Sequence, residues 1–247
     1  MSPRLDIEGT HNFRDVGDYP ATGGRTRKGQ LYRSDALSRI TPAGVAELAA
    51  LRIGVVVDLR SDLELSQDRS ANVLPGARLV SIPIHGGSRS SIVDDGVISL
   101  ERLYRQVLQE SAWSLAVAVS VIADSGRTPV LVNCTAGKDR TGLVIALALE
   151  VAGVDRTAVI ADYTQSALNL DGLWVNRTLT SLVSHGVPIS PRLFEVIGGS
   201  PDHAMSNLLT WLDKEYGSVT GYLVAHGMAP EAVEELHEKL VAAPSTG

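Results

Sequence analysis

One cysteine, Cys134, stands in this 247-residue chain, and Arg140 follows it on the same short stretch. A thiolate is a strong nucleophile, and a guanidinium offers a planar fork to two oxygens of an anion. The pair suits attack of sulfur on a phosphorus atom whose oxygens Arg140 holds, since that side chain is cationic at every relevant pH. A free thiol titrates near 8.5, and a helix N-terminus with a cation beside it lowers this to roughly 3.5 to 7.5. Thr135, Ala136, Gly137 and Lys138 lie between the two and are candidate anion-binding residues, Gly137 by permitting a sharp turn. Lys138 either contacts a second phosphate or projects into solvent. Thr141 places a hydroxyl where it can serve the sulfur or cap a helix. Two carboxylates compete to protonate the leaving oxygen: Asp139 inside the loop, and Asp58, which can instead accept from Arg140 and hold it in place.

The elements that must position these groups are legible on both sides. Thr128-Pro129-Val130-Leu131-Val132 reads as a buried strand, and Leu143 to Val151 as an apolar helix. A loop that leaves the carboxyl end of a strand and opens onto a helix N-terminus is where open α/β sheets bind ligands. Amide N–H groups and the helix dipole there favour a dianion. Two other phosphate loops fail on the same residues. A Walker loop needs a glycine where this chain has Val132 and a hydroxyl where it has Asp139, and no G-x-G-x-x-G follows any candidate strand. The histidines at 11, 85, 185, 203, 226 and 237 have no metal-ligand spacing. Neither a metal nor a cofactor is expected.

Around this centre the chain reads as α/β. Thr41-Pro42 opens a helix, Ile53 to Asp58 is a continuous β-branched strand, and Arg78 to Ile84 is a second. Helices are expected over Leu100 to Leu108, Leu115 to Ile122, Thr157 to Leu168, Leu173 to Val183, Ala204 to Tyr216, Tyr222 to His226 and Pro230 to Leu240. Gly9 to Leu31 reads as loops with a short hairpin. No repeat or linker divides residues 1–247, so one domain with a helical C-terminal part is expected. Residues 170–200 carry apolar positions interrupted by Gly186, Pro188, Pro191 and Gly198-Gly199, the makings of a lid. The net charge of −6 argues against a nucleic-acid partner. Aromatics are only 4% of residues, so the core must be aliphatic. The lone cysteine, the charged N-terminus and the absence of a long apolar stretch point to a cytoplasmic protein without membrane insertion.

The loop resembles that of the bacterial tyrosine phosphatases with a Cys-x-x-Gly-Lys-Asp-Arg-Thr-Gly signature. Asn12-Phe13-Arg14-Asp15-Val16, Leu31-Tyr32-Arg33-Ser34, Val57-Asp58-Leu59-Arg60, Tyr104-Arg105-Gln106, Ala161-Asp162-Tyr163 and Tyr216-Gly217-Ser218 resemble that family in its order, over nearly the whole chain. The resemblance implies a phosphatase-type, mainly parallel sheet flanked by helices, with a helical lid. It also implies hydrolysis of phosphotyrosine, of phosphoserine and phosphothreonine, and of phosphoinositides through a phosphocysteine. It favours Asp139 as general acid. Asn133 departs from the family, which usually has His before the Cys. On the residues alone, the loop also suits a phosphatase of a small metabolite or inositol phosphate, or a weakly active phosphate-binding module. Tyr104, Tyr163 and Phe194 either line the mouth or belong to the core.

Overall fold

β-branched residues fill the central strands because both faces of the sheet are covered. The computed structural model describes residues 3–68, 74–85, 99–170, 172–184 and 190–243. The chain opens with β1 (Arg14–Asp15), a hairpin of β2 (Pro20–Ala21) and β3 (Gly24–Thr26), then β4 (Leu31–Ser34). Next come α1 (Pro42–Ala50), β5 (Val55–Asp58), α2 (Asp62–Gln67) and β6 (Arg78–Ser81). Two helices, α3 (Leu100–Glu110) and α4 (Ala112–Asp124), lead to β7 (Val130–Asn133). From there the chain is helical: α5 (Asp139–Val151), α6 (Arg156–Asn169), α7 (Gly172–Ser184), α8 (Pro191–Gly198), α9 (Asp202–Tyr216), α10 (Val219–Ala225) and α11 (Glu231–Leu240). A final strand, β8 (Val241–Ala242), pairs with β3.

The main sheet has the order β1-β4-β7-β5-β6, with β4, β7, β5 and β6 parallel and β1 antiparallel at the edge. Ser34, Asn133 and Asp58 are in register, so three parallel strands end on one line and the loops leaving them meet. Side chains alternate between faces as a pleated strand requires. Val55, Val57, Val130 and Val132 join α3 to α6 and α9 to α11 in the larger core. Val56 and Leu131 face Phe13, Tyr32, Leu37 and Leu48 in the smaller one. Helix α5 is buried along nearly its whole length, which anchors the loop before it. A third apolar cluster, Val175, Leu179, Leu182, Leu193 and Ile197, belongs to α7 and α8 alone. Among the described residues no single helix is long and apolar enough to cross a membrane.

The capping signals act as read: Thr41 accepts from the Gly44 amide, with Pro42 in the first turn. Most element ends shift by one to four residues from the sequence reading, and three differences bear on the site. Helix α5 starts at Asp139 rather than Leu143, because an apolar run marks the packed turns and not a polar first turn. The strand at Arg78 stops at Ser81. Leu31–Ser34, within and beyond the region read as loops, is an inner strand; at four residues it is too short for periodicity to show. Gly186 and Pro188 of the lid reading lie outside the described residues.

Candidate active site

The loop from Cys134 to Lys138 joins the end of β7 to the start of α5. Its carbonyls are turned outward and held. Ala36 N–H donates to Thr135 O at 3.3 Å, Asn12 Nδ2 donates to Ala136 O at 3.1 Å and Gly137 O at 3.0 Å, and Arg33 donates to Gly137 O at 2.7 Å. The amides of the same stretch are left unpaired. From Thr135 through Arg140, no backbone N–H has an acceptor among the described residues. A helix leaves its first N–H groups unsatisfied, and here the loop amides before it are free as well, a set of donors suited to an anion beside Cys134. Gly137 makes the reversal, with φ at +64°; a Cβ there would lie 2.4 Å from the Ser34 backbone.

Beneath the loop is a buried ionic scaffold. Asp162 of α6 accepts from Arg14 Nε at 3.0 Å and from Arg33, and Arg14 also donates to Ser166 Oγ at 3.0 Å. Both arginines are fully buried, which a charge tolerates only when paired and hydrogen-bonded. Burial alone raises the Asp162 carboxyl, but the charges of Arg14 and Arg33 and their bonds override it and hold it at about 2. Burial, joined by the charge of Arg33, lowers Arg14 to about 10. Asn12 ties this scaffold to the loop, its Oδ1 accepting from Arg14 and from Asn169.

Arg140 is oriented by Glu64 of α2, which accepts from both terminal nitrogens at 2.7 Å each. This is a fork-to-carboxylate pair, the strong geometry for the two groups. Burial opposes the charge on Arg140 but is outweighed by the Glu64 bonds and by the charges of Cys134, Glu64 and Asp139, so its pKa rises. Burial likewise pushes Glu64 up, and the Arg140 bond and charge bring it down to about 2. Glu64 doubles as the capping-box residue of α2, reaching back to the Ser61 amide. Thr135 donates to the same carboxylate at 2.6 Å.

A pocket opens over the loop, lined by Glu64, Cys134, Thr135, Ala136, Asp139 and Arg140 on one side and by Trp174, Thr178, Leu182, Val196 and Ile197 on the other. The second side is therefore α7 and α8. A thiol, unpaired amides, a braced guanidinium and a carboxyl form a receptor for a tetrahedral anion.

Residues 5–242 match the model of the tyrosine phosphatase family. The chain belongs to this family. Triple specificity protein phosphatase PtpB of Mycobacterium tuberculosis is 30% identical over 274 residues, 96% of this chain and 98% of that protein. A tyrosine-protein phosphatase of Nostoc commune is 28% identical over 220 residues, 85% of this chain and 74% of that one. A crystal structure of P. aeruginosa TpbA in complex with pTyr aligns over 92% of this chain and 96% of that chain, at 19% identity and a TM-score of 0.41.

The structure of this tyrosine phosphatase decides between some of the placements that the sequence left open and departs from others. Asp58 does not meet Arg140: its carboxylate folds back onto Arg60, two residues on, at 2.8 Å, and is absent from the pocket lining. The brace that sequence assigned to Asp58 is Glu64, whose only local signal is the Ser61-x-x-Glu64 cap. Lys138 reaches neither solvent nor the pocket lining. It is buried, and its ammonium donates to Val196 O, Ile197 O and Gly199 O at the end of α8. Thr141 does not cap α5, since Lys138 occupies that position; its hydroxyl is buried with no hydrogen-bond partner among the described residues. Tyr104 and Tyr163 are core residues, one of the two placements the sequence allowed, and Phe194 is exposed on α8 and absent from the pocket lining. Asn133 is buried beside Cys134, and neither polar atom of its amide has a partner among the described residues.

Proposed function

We propose that this phosphatase hydrolyses phosphotyrosine in proteins, with phosphoserine, phosphothreonine and phosphoinositides as further substrates, through a phosphocysteine intermediate. The observation that carries the reading is the set of unpaired loop amides next to Cys134, with the carbonyls of Thr135, Ala136 and Gly137 each held by a donor from elsewhere in the chain. The triple specificity in the name of the mycobacterial relative supports the wider substrate range.

In the first step the Cys134 thiolate forms a bond to phosphorus while the bond to the leaving oxygen breaks, and Asp139 gives that oxygen its proton. The phosphoryl group then rests on sulfur. In the second step Asp139 takes a proton from water as the water oxygen attacks phosphorus; the S–P bond breaks, releasing phosphate and restoring the thiolate. Arg140 and the amides hold the equatorial oxygens throughout, where charge spreads in the transition state. The Thr141 hydroxyl is a donor for the departing sulfur.

Cys134→Ser tests the mechanism. It is expected to abolish turnover while vanadate still binds, because the amides and Arg140 remain; substantial residual hydrolysis overturns the phosphocysteine. A turnover panel of phosphotyrosine, phosphoserine and phosphothreonine peptides, phosphoinositides and sugar phosphates tests the substrate range. Turnover confined to sugar or inositol phosphates would replace the protein-phosphatase reading.

A further inference from the structure

The hydroxyl of Tyr104, on α3, donates to Asp139 Oδ1 at 2.6 Å, and the hydroxyl of Tyr163, on α6, lies 2.7 Å from that of Tyr104. Both rings are buried and neither lines the pocket. A phenol has one proton to donate. An ionised carboxylate only accepts, so Tyr104 gives its proton to Asp139 and Tyr163 is the donor to Tyr104. Lys138 Nζ approaches the same Oδ1 at 3.5 Å. One oxygen of Asp139 is therefore turned into the protein by a phenol hydrogen bond and a nearby ammonium charge, although the residue lines the pocket.

We propose that Tyr104 is a positioning residue for the phosphatase reaction: it pins Oδ1 of Asp139 as an acceptor, so that the catalytic proton is carried on Oδ2, with Tyr163 keeping the Tyr104 hydroxyl in its donating orientation. The proposal rests on Asp139 being the general acid. A carboxyl already accepting from a phenol through one oxygen holds its own proton on the other. The same oxygen gives the proton to the leaving group and receives one from water, so one fixed orientation serves both steps. Phenylalanine would fill these two core positions with less desolvation cost, so the hydroxyls serve the carboxyl and not the packing.

Tyr104 stays a donor across the working range, because burial, reinforced by the Asp139 charge, holds its phenol well above the ordinary value. Burial also raises Tyr163. The other titratable and charged groups around Asp139 are Lys138 and Arg140 on its own segment, Cys134 and Glu64 lining the same pocket and, behind Tyr163, Arg33 of β4; α8 contributes the carbonyls that hold Lys138. A donor to the carboxylate favours its charged form, so removing the Tyr104 hydroxyl raises the affinity of Asp139 for a proton.

The test compares Tyr104→Phe, Tyr163→Phe and Asp139→Asn on aryl phosphates of graded leaving-group pKa, with folding checked by thermal melting. Tyr104→Phe is expected to slow poor leaving groups by about tenfold or more, a fraction of what a general acid contributes, while activated esters change little. KM should hold, and the alkaline limb of the kcat profile should move to higher pH. Tyr163→Phe should shift both readouts in the same direction but less, and it carries the test alone if Tyr104→Phe does not fold. If Asp139→Asn discriminates between leaving groups while Tyr104→Phe slows all of them equally with the limb unmoved, Tyr104 is structural and the proposal is overturned. If Asp139→Asn shows no discrimination, the assignment of Asp139 as acid fails first.

Discussion

Arg140 owes its orientation to a glutamate that lies far from it in the chain. Glu64 binds one N–H of each terminal nitrogen, leaving the Arg140 Nε–H unengaged by any described residue and available to an anion. Glu64→Gln keeps the size of the side chain and, because glutamine also completes a capping box, keeps the cap of α2. It offers a single carbonyl to the guanidinium fork in place of two carboxylate oxygens. We expect kcat/KM to fall by roughly one to two powers of ten, each worth about 1.4 kcal/mol of transition-state stabilisation, with little change in melting temperature. An unchanged kcat/KM would leave Glu64 as a cap and nothing more. Arg140→Lys should lose activity nearly completely, since a point charge cannot reproduce the fork; wild-type rates in that variant would make Arg140 structural.

At the scale of elements, α7 and α8 pack mainly on each other, with Val196 of α8 joining the main core. Helices α7 and α8 bury their own apolar cluster, whereas α5 lies inside the main core. Local opening is easiest where few buried contacts must break. Amide exchange should therefore be faster over 172–184 and 191–198 than over 143–151, and should slow when an oxyanion binds; equal protection of these segments would describe a rigid pocket. The link between loop and lid is Lys138, whose ammonium gathers the last carbonyls of α8 in place of a C-terminal cap. Lys138→Met retains the stem and removes the donors. Exchange in α8 is expected to rise selectively, with α5 unchanged; no change in α8 would show that Val196 and its apolar neighbours hold the lid unaided.

Over the whole molecule, the parallel sheet and the ionic scaffold make stability depend on pH in a definite direction. Asp162 is held at about 2 against an ordinary 3.8, so the native state binds this proton more weakly than the unfolded chain. Its contribution is complete above about pH 4 and is lost as the pH falls toward 2, because the unfolded chain takes up the proton first. Melting temperature should drop steeply through that window, and Asp162→Asn should flatten the drop while lowering stability at neutral pH. The neutral-pH loss is expected to be about 3 to 5 kcal/mol, the usual cost of leaving buried charges unpaired. An identical acid profile in Asp162→Asn would place the acid sensitivity elsewhere. Glu64, also held at about 2, adds to the slope in the same window.

What the sequence determined by itself was local. The Thr128 to Val132 strand, the turn residue Gly137 and the apolar helix beyond it place Cys134 and Arg140 on one anion loop, because a strand, a turn glycine and an apolar helix are each written in adjacent residues. Capping at Thr41 and the helix-rich C-terminal part were legible for the same reason. The tertiary structure decided everything that depends on which side chain meets which across the chain. Glu64 rather than Asp58 braces Arg140, because the Asp58 carboxylate is captured by its near neighbour Arg60 while the α2 cap points Glu64 at the loop. Arg14, Arg33 and Asp162 became a scaffold only when β1, β4 and α6 were brought together, and Lys138 turned from solvent to the lid only when α8 closed over it. Charges are placed by the partners that offset their desolvation, and those partners come from distant segments that no local pattern records.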